Sequence, residues 1–211
     1  MPIELLITDS SYPRLLAVWC MSETSSELLD LADLNDAERL QWKSIRLEKR
    51  KREWLGQRIL CKRFVPGSTV AYLASGKPVI PGGPHISFSH HGHYAAIMIA
   101  EVPCGLDLQA PDTKLMALRS RFMHADELAQ MPDDPDQQLT WLTLAWTAKE
   151  AIFKCFGEHV HFAGHIRVRS YSAEAVDLQA GYHGVHGEQI FMLAVMKLGD
   201  TILTFTPPIQ H

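Results

Sequence analysis

The amino-acid sequence predicts an α+β fold. Strand-like and helix-like segments alternate along the chain, but without the regular strand–helix–strand beat of a doubly wound sheet. Composition is that of an ordinary globular protein: of 211 residues, 46% are hydrophobic and 21% charged, which argues against extended disorder, a collagen-like chain or a coiled coil. No internal repeat or long linker interrupts the pattern. The length suits one large domain or two small lobes, with chain enough for a real core.

The elements follow in order. Residues 3–8 (IELLIT) and 15–21 (LLAVWCM) are short apolar runs separated by the turn-forming DSSYP, and they predict two strands. Ser25–Asp36 is acidic and helix-prone, and Asn35 or Asp36 is placed to cap the helix that follows. From Ala37 to Val65 the composition is helical until Pro66-Gly67 stops it. In its second half Leu55 with Ile59, and Leu60 with Phe64, make an apolar stripe at i,i+4 spacing. Ile86–Ser89 alternates like a strand, Tyr94–Glu101 reads as a buried strand, and Cys104–Gln109 as another. Helices are predicted over Leu115–Gln130 and Gln138–Phe156, divided by the acidic turn MPDDPD. The last third reads as strands at Ile166–Tyr171, Ala175–Gln179, Gln189–Met196 and Thr201–Phe205.

Charge and cysteine usage narrow the function classes. The net charge of −4 argues against a general nucleic-acid coat protein. Between Arg46 and Arg63, however, eight Lys or Arg face only Glu48 and Glu53, a local net of +6 on a remainder of −10. A basic island on an acidic chain points to a local anionic ligand. The four cysteines form no CxxC, so neither a disulfide framework nor a zinc knuckle is expected. The first residues carry acidic groups where a secretion signal needs basic ones, and no run approaches the ~20 apolar residues of a membrane span. The expectation is a soluble, cytoplasmic protein with no membrane or nucleic-acid partner.

Several short motifs carry chemistry. Gly76-Lys77 lacks the glycine four residues earlier and the following Ser/Thr of a phosphate-binding P-loop; Tyr72 and Pro78 stand there instead. By itself the SGKP tetrapeptide is equally a turn with a solvated lysine. His85, His90, His91 and His93 have no zinc spacing, and neighbouring strand residues face opposite ways. Ser89 lacks a GxSxG elbow, so a phosphate-contacting Ser89-His90 pair suits these groups better than hydrolase chemistry. In Gly105–Gln109, period two puts Asp107 and Gln109 on one face and the leucines on the other; Asp107 is a hard oxygen ligand suited to Mg²⁺, or part of a polar edge. On Trp146–Lys154, Trp146, Glu150 and Lys154 fall on one helical face, either as a surface pair or as buried groups needing a metal and a phosphate for partners.

The order of these blocks is specific: GKP (Gly76–Pro78), SFSHH (Ser87–His91), GLDLQ (Gly105–Gln109), Arg121-Phe122 with Glu127, and WTAKEAIFK (Trp146–Lys154). Upstream, LNDAER (Leu34–Arg39) and Lys51-Arg52-Glu53-Trp54 through Arg58 extend the register, so that it covers roughly residues 34–157. This series resembles the 4′-phosphopantetheinyl transferases of the surfactin-synthetase-activating type, in their W/KEA subgroup. The resemblance implies two similar α+β lobes related by a pseudo-twofold, residues 1–102 and 103–211, with the active site in the cleft between them. It implies transfer of phosphopantetheine from coenzyme A to a serine of an apo acyl or peptidyl carrier protein, with release of adenosine 3′,5′-bisphosphate. Coenzyme A would be held by Arg52, Arg58, Lys77, Pro78, Ser89 and His90, and Mg²⁺ by Asp107, Gln109 and Glu150. Lys154 would face the transferring phosphoryl group, and Glu127, or Glu150 through water, would take the serine proton. The expected state is a monomer, its two lobes forming a pseudo-dimer, with carrier docking expected at Arg119–Met131 and the basic island.

This chain departs from the family pattern in placing Gln109 where a second carboxylate is usual and His91 where a serine is. The first departure supports a competing reading, a catalytically silent homologue that only binds coenzyme A or carrier protein. Metal-dependent release of the bisphosphate separates the two.

Overall fold

The computed structural model describes residues 3–9, 14–156, 160–171, 177–184 and 187–206. The chain forms β1 (Ile3–Asp9), β2 (Arg14–Cys20), α1 (Ser25–Leu31), α2 (Asp36–Ser44), α3 (Glu48–Phe64), β3 (Ala71–Tyr72), β4 (Pro78–Val79), β5 (His85–His91) and β6 (Tyr94–Ala100). It continues with β7 (Leu106–Gln109), α4 (Lys114–Phe122), α5 (Ala125–Ala129), α6 (Pro135–Phe156), α7 (Phe162–His165), β8 (Ile166–Tyr171), β9 (Asp177–Gly184), β10 (Gly187–Leu198) and β11 (Thr201–Phe205). The architecture is α+β, as the irregular alternation predicts. Ser10–Pro13, in the predicted turn, and Ala175-Val176, the start of a predicted strand, lie outside the described residues.

Two antiparallel sheets organise the chain. The first has strand order β1-β2-β6-β5 and the second β7-β11-β10-β9-β8; β3 and β4 form a separate hairpin. Period-two alternation between two cores explains why β2 from Leu15 onward and β6 are apolar on both faces. Ala17 and Trp19 of β2, with Ala95 and Ile97 of β6, face a core shared with α1 and α3. The residues between them, Leu16, Val18, Ala96 and Met98, face a second core containing Leu106, Leu108, Leu203 and Phe205 of the other sheet. A third core lies between α4, α6 and the second sheet, around Phe122, Leu142, Ala148, Ile152, Val168 and Leu193.

Two predicted helices are each broken once, for tertiary reasons. The helix expected over Ala37–Val65 is interrupted at Ile45 and Leu47, which are extended. The break lets α2 fold back on α3, where buried Glu38 pairs with Arg58 at 3.6 Å and Lys62 at 2.9 Å. Asn35, not Asp36, is the cap, in a reciprocal capping box with Glu38. The helix expected over Leu115–Gln130 stops at Phe122 and restarts at Ala125, capped by His124 and Glu127. Helix α6 begins three residues earlier than predicted, at Pro135, with Asp134 accepting from the amide of Gln137. Strand β9 runs on to Gly184, beyond the predicted end at Gln179.

Candidate active site

The site is built where β7, the edge of the second sheet, meets β5, the edge of the first. The amides of Leu106 and Leu108 are buried at this seam, and a buried N–H without an acceptor is costly. Two serines of β5 supply the acceptors: Ser87 Oγ for Leu106 and Ser89 Oγ for Leu108, each at 3.1 Å. Across β7, helix α6 approaches so closely that a Cβ on Gly105 would lie 1.8 Å from the carbonyl oxygen of Ala151. Only glycine fits at Gly105, and that approach brings the last two turns of α6 to Asp107.

There the chain gathers Asp107, Glu150 and Lys154. Lys154 Nζ donates to Asp107 Oδ1 at 2.6 Å and to the Leu106 carbonyl at 3.1 Å. Ser89 Oγ donates to the same Oδ1 at 2.8 Å. The Glu150 carboxyl is pushed up to about 7, first by burial and then by the negative charge of Asp107, against the opposing pull of Lys154. Among the described residues no hydrogen-bond donor reaches the Glu150 carboxylate. Trp146, one turn before Glu150, packs instead against Phe122 and Phe162 at centroid distances of 5.2 and 5.6 Å.

Lys154 also borders a cleft of about 250 Å³, whose other walls are Gln57, Tyr72, Ser75, Gly76, Lys77, Pro78, Ile86–Phe88 and Phe153. Lys77 Nζ donates to the Cys155 carbonyl at 2.5 Å, at the C-terminal end of α6, where unpaired carbonyls favour a cation. Its ammonium has two further protons to offer. The GKP turn and the end of α6 thus form one wall.

The other expected site residues are placed as follows. Arg58 is fully buried, stacked on Trp54 and Tyr72 at 4.4 and 5.5 Å and bonded to the Tyr72 hydroxyl. It stands behind the cleft wall. Arg52 donates to the carbonyl of Glu23 at 3.1 Å. His90 Nε2 lies 2.8 Å from Glu53, which also pairs with Lys49 and Arg50. Burial, with Arg50, Lys154 and Lys49 nearby, pushes the imidazole down to about 4, so at neutral pH it is uncharged and donates to Glu53. Much of the +6 island is therefore braced internally. Gln109 shares the Asp107 face of β7, and its amide nitrogen donates to the Ala110 carbonyl.

Glu127 is not brought to this cluster. It is buried, with Oε2 accepting from Lys149 Nζ at 2.8 Å and from the His124 amide, and Oε1 accepting from the Val168 amide at 2.7 Å. Lys149 is itself fully buried and donates also to the carbonyls of Ile166 and Phe162. This pair ties α5, α6, α7 and β8 together, and it orients α6 so that the next residue, Glu150, faces Asp107. The signal for Lys149 is present in the chain: it falls in line with Leu142, Ala145 and Ile152, an apolar stripe where a lysine requires a carboxylate. Nothing in the sequence marks Ser87 and Ser89 as seam residues, since no local pattern shows which edge strand they meet.

Asp107 and Glu150 are hard oxygen donors on one buried face, and their mutual repulsion is what a small divalent cation relieves. Among the described residues no three His, Cys, Asp or Glu gather as a metal cluster; at the third expected position stands the amide of Gln109. The donor set fits a weakly chelated Mg²⁺ that keeps several waters. Among the described residues, no helix is long and apolar enough to cross a membrane.

Residues 103–189, which contain Asp107, Gln109, Glu127, Glu150 and Lys154, match the family model of the 4′-phosphopantetheinyl transferase superfamily. The chain is 32% identical over 112 residues to the 4′-phosphopantetheinyl transferase AcpT of Salmonella typhimurium, covering 50% of this chain and 58% of that protein. It is 29% identical over 91 residues to the 4′-phosphopantetheinyl transferase psf-1 of Bacillus pumilus, covering 42% and 39%. AcpT of Escherichia coli K12 is 32% identical over 112 residues, covering 50% and 57%. The chain thus spans about half the length of the curated relatives it matches.

Proposed function

We propose that the protein is a 4′-phosphopantetheinyl transferase of the W/KEA subgroup, moving the phosphopantetheine arm of coenzyme A to a serine hydroxyl of an acyl or peptidyl carrier protein. One observation carries the reading: Lys154 belongs both to the carboxylate cluster, through Asp107, and to the wall of the cleft lined by the GKP turn. A cleft for a phosphorylated ligand thus opens onto a cation site. The relatives' names support the same reaction.

Asp107 and Glu150 would hold Mg²⁺, with Gln109 offering an amide oxygen. When bound, the cation neutralises charge developing on the phosphoanhydride. Lys77 and Lys154 supply donors to phosphate oxygens, and Tyr72, braced by Arg58, walls the cleft. Glu127 has both oxygens committed inside the protein, so the serine proton goes to the Glu150 side of the site. The two sheets draw on residues 3–100 and 106–205, respectively, which supports two lobes divided near residue 102. A cytoplasmic location goes with the carrier-protein substrate.

The test is intact-mass analysis of an apo carrier protein mixed with this protein, coenzyme A and Mg²⁺. A gain of one phosphopantetheine, lost without the cation and in Asp107→Ala, is expected. Absence of the gain with several apo carriers, while coenzyme A still binds, would sink the transferase reading.

A further inference from the structure

We propose that Ser89 is a positioning residue that orients the Asp107 carboxylate toward a divalent cation, and that it makes no contact with the substrate's phosphates. The inference rests on the function proposed above, and it replaces the phosphate-binding role that the Ser89-His90 pair suggests in sequence.

The Ser89 hydroxyl has a fixed inventory of hydrogen bonds. A serine has a single proton and two lone pairs. The Ser89 proton is given to Asp107 Oδ1 at 2.8 Å, and one lone pair accepts the Leu108 amide at 3.1 Å. What remains is one lone pair on a buried oxygen, and it can only repel a phosphate. The same inventory shows what Ser89 does accomplish. It and Lys154 both donate to Oδ1, and among the described residues no donor reaches Oδ2. The carboxylate is held from one side, leaving the other oxygen for the cation. Partners of this kind, which hold a metal ligand without touching the metal, govern affinity in many sites.

The arrangement also makes the site depend on the seam. Ser89 belongs to the first sheet and Asp107 to the second, so the carboxylate is oriented only when β5 lies against β7. Ser87 provides an internal control. Its hydroxyl accepts the Leu106 amide at the same 3.1 Å, two residues along the same strand, and no contact with a carboxylate accompanies it.

The experiment is a Mn²⁺ titration of the full-length protein, free Mn²⁺ being read by electron paramagnetic resonance. It is accompanied by thermal unfolding and by calorimetric binding of coenzyme A without metal. Ser89→Ala and Ser87→Ala each leave one buried amide unpaired, so both are expected to lower Tm by roughly 2–10 °C. Only Ser89→Ala is expected to weaken Mn²⁺ binding, by about ten- to hundredfold. Metal-free coenzyme A affinity should be unchanged in Ser89→Ala, and Ser89→Thr should keep wild-type Mn²⁺ affinity. Wild-type Mn²⁺ affinity in Ser89→Ala, an equal loss in Ser87→Ala, or a loss of metal-free coenzyme A binding in Ser89→Ala would each overturn the proposal. Where Ser89→Ala does not fold, Ser89→Cys takes its place: its weaker donor should give a partial loss, and full affinity would overturn the proposal. Absence of saturable Mn²⁺ binding in the wild type would instead fail the cation site of the proposed function, and this inference with it.

Discussion

Replacing Gly105 by alanine should damage both the fold and the site. The new Cβ would lie 1.8 Å from the Ala151 carbonyl oxygen and 2.9 Å from both the Ala151 carbonyl carbon and the Cys155 amide nitrogen. A close C···O contact begins near about 3.3 Å, so β7 and α6 must part by roughly 1.5 Å. Overpacking of this kind costs about 1–3 kcal/mol. The methyl also wedges between a carbonyl and an amide one helical step apart, which puts a further ~1 kcal/mol of backbone hydrogen bonding at risk. A total of about 2–4 kcal/mol in a chain of this size lowers Tm by roughly 4–16 °C. Because α6 carries Glu150 and Lys154 to Asp107, and a 1 Å misplacement can cost about 10²-fold in rate, the proposed transfer should fall by at least that factor where the variant is still folded. Urea unfolding followed by circular dichroism, with carrier modification measured below the transition, reads both effects. An alanine variant with wild-type stability and transfer rate would refute the claim that glycine is required by the helix approach.

Three further outcomes follow from the buried charges. Glu150 is raised above its ordinary range to about 7, so its contribution to stability is present at low pH and lost as pH rises through 7, whereas a cation needs it ionised. Mn²⁺ affinity should therefore fall by about tenfold per pH unit below about 7 in the wild type, and a titration without that slope would count against the site. His90, lowered to about 4, has the opposite sign: its contribution is present above about 6.5 and lost as pH falls through 4. The two offset each other over the shared window, so in Glu150→Gln stability should rise with pH from 4.5 to 6.5, by up to about 1.4 kcal/mol per unit. Lys149→Met leaves Glu127 buried without its cation and should cost about 3–5 kcal/mol in urea unfolding, partly recovered when Glu127→Gln is added; a single variant as stable as wild type would contradict the pairing.

How far the site could be read in the chain differs by residue. Asp107 on a strand, and Glu150 and Lys154 one helical turn apart, follow from periods of two and about 3.6, and the structure joins all three. Glu127 has the right residue type for a base, but its role depends on a lysine 22 residues away, and no local pattern connects them. Arg58 looks like a phosphate ligand within a basic run until α2 folds back and gives it Glu38 as a partner. The same fold-back interrupts what composition alone would continue as one helix.

The α+β class, most strands and the helix α6 are legible in the chain, because periodicity and turn chemistry act within a few residues. Residue type also marks which side chains could carry metal and phosphate chemistry. Which of them already hold partners within the protein is visible only in the folded chain. What each can still bind depends on the hydrogen bonds it has already made, and those partners come from distant segments: Ser89 on Asp107, Lys149 on Glu127, and Glu53 on His90. Long-range pairing satisfies polar groups that no local pattern can, so the partners of these residues follow from contacts between distant elements: β5 with β7, α6 with α5, and α3 with β5.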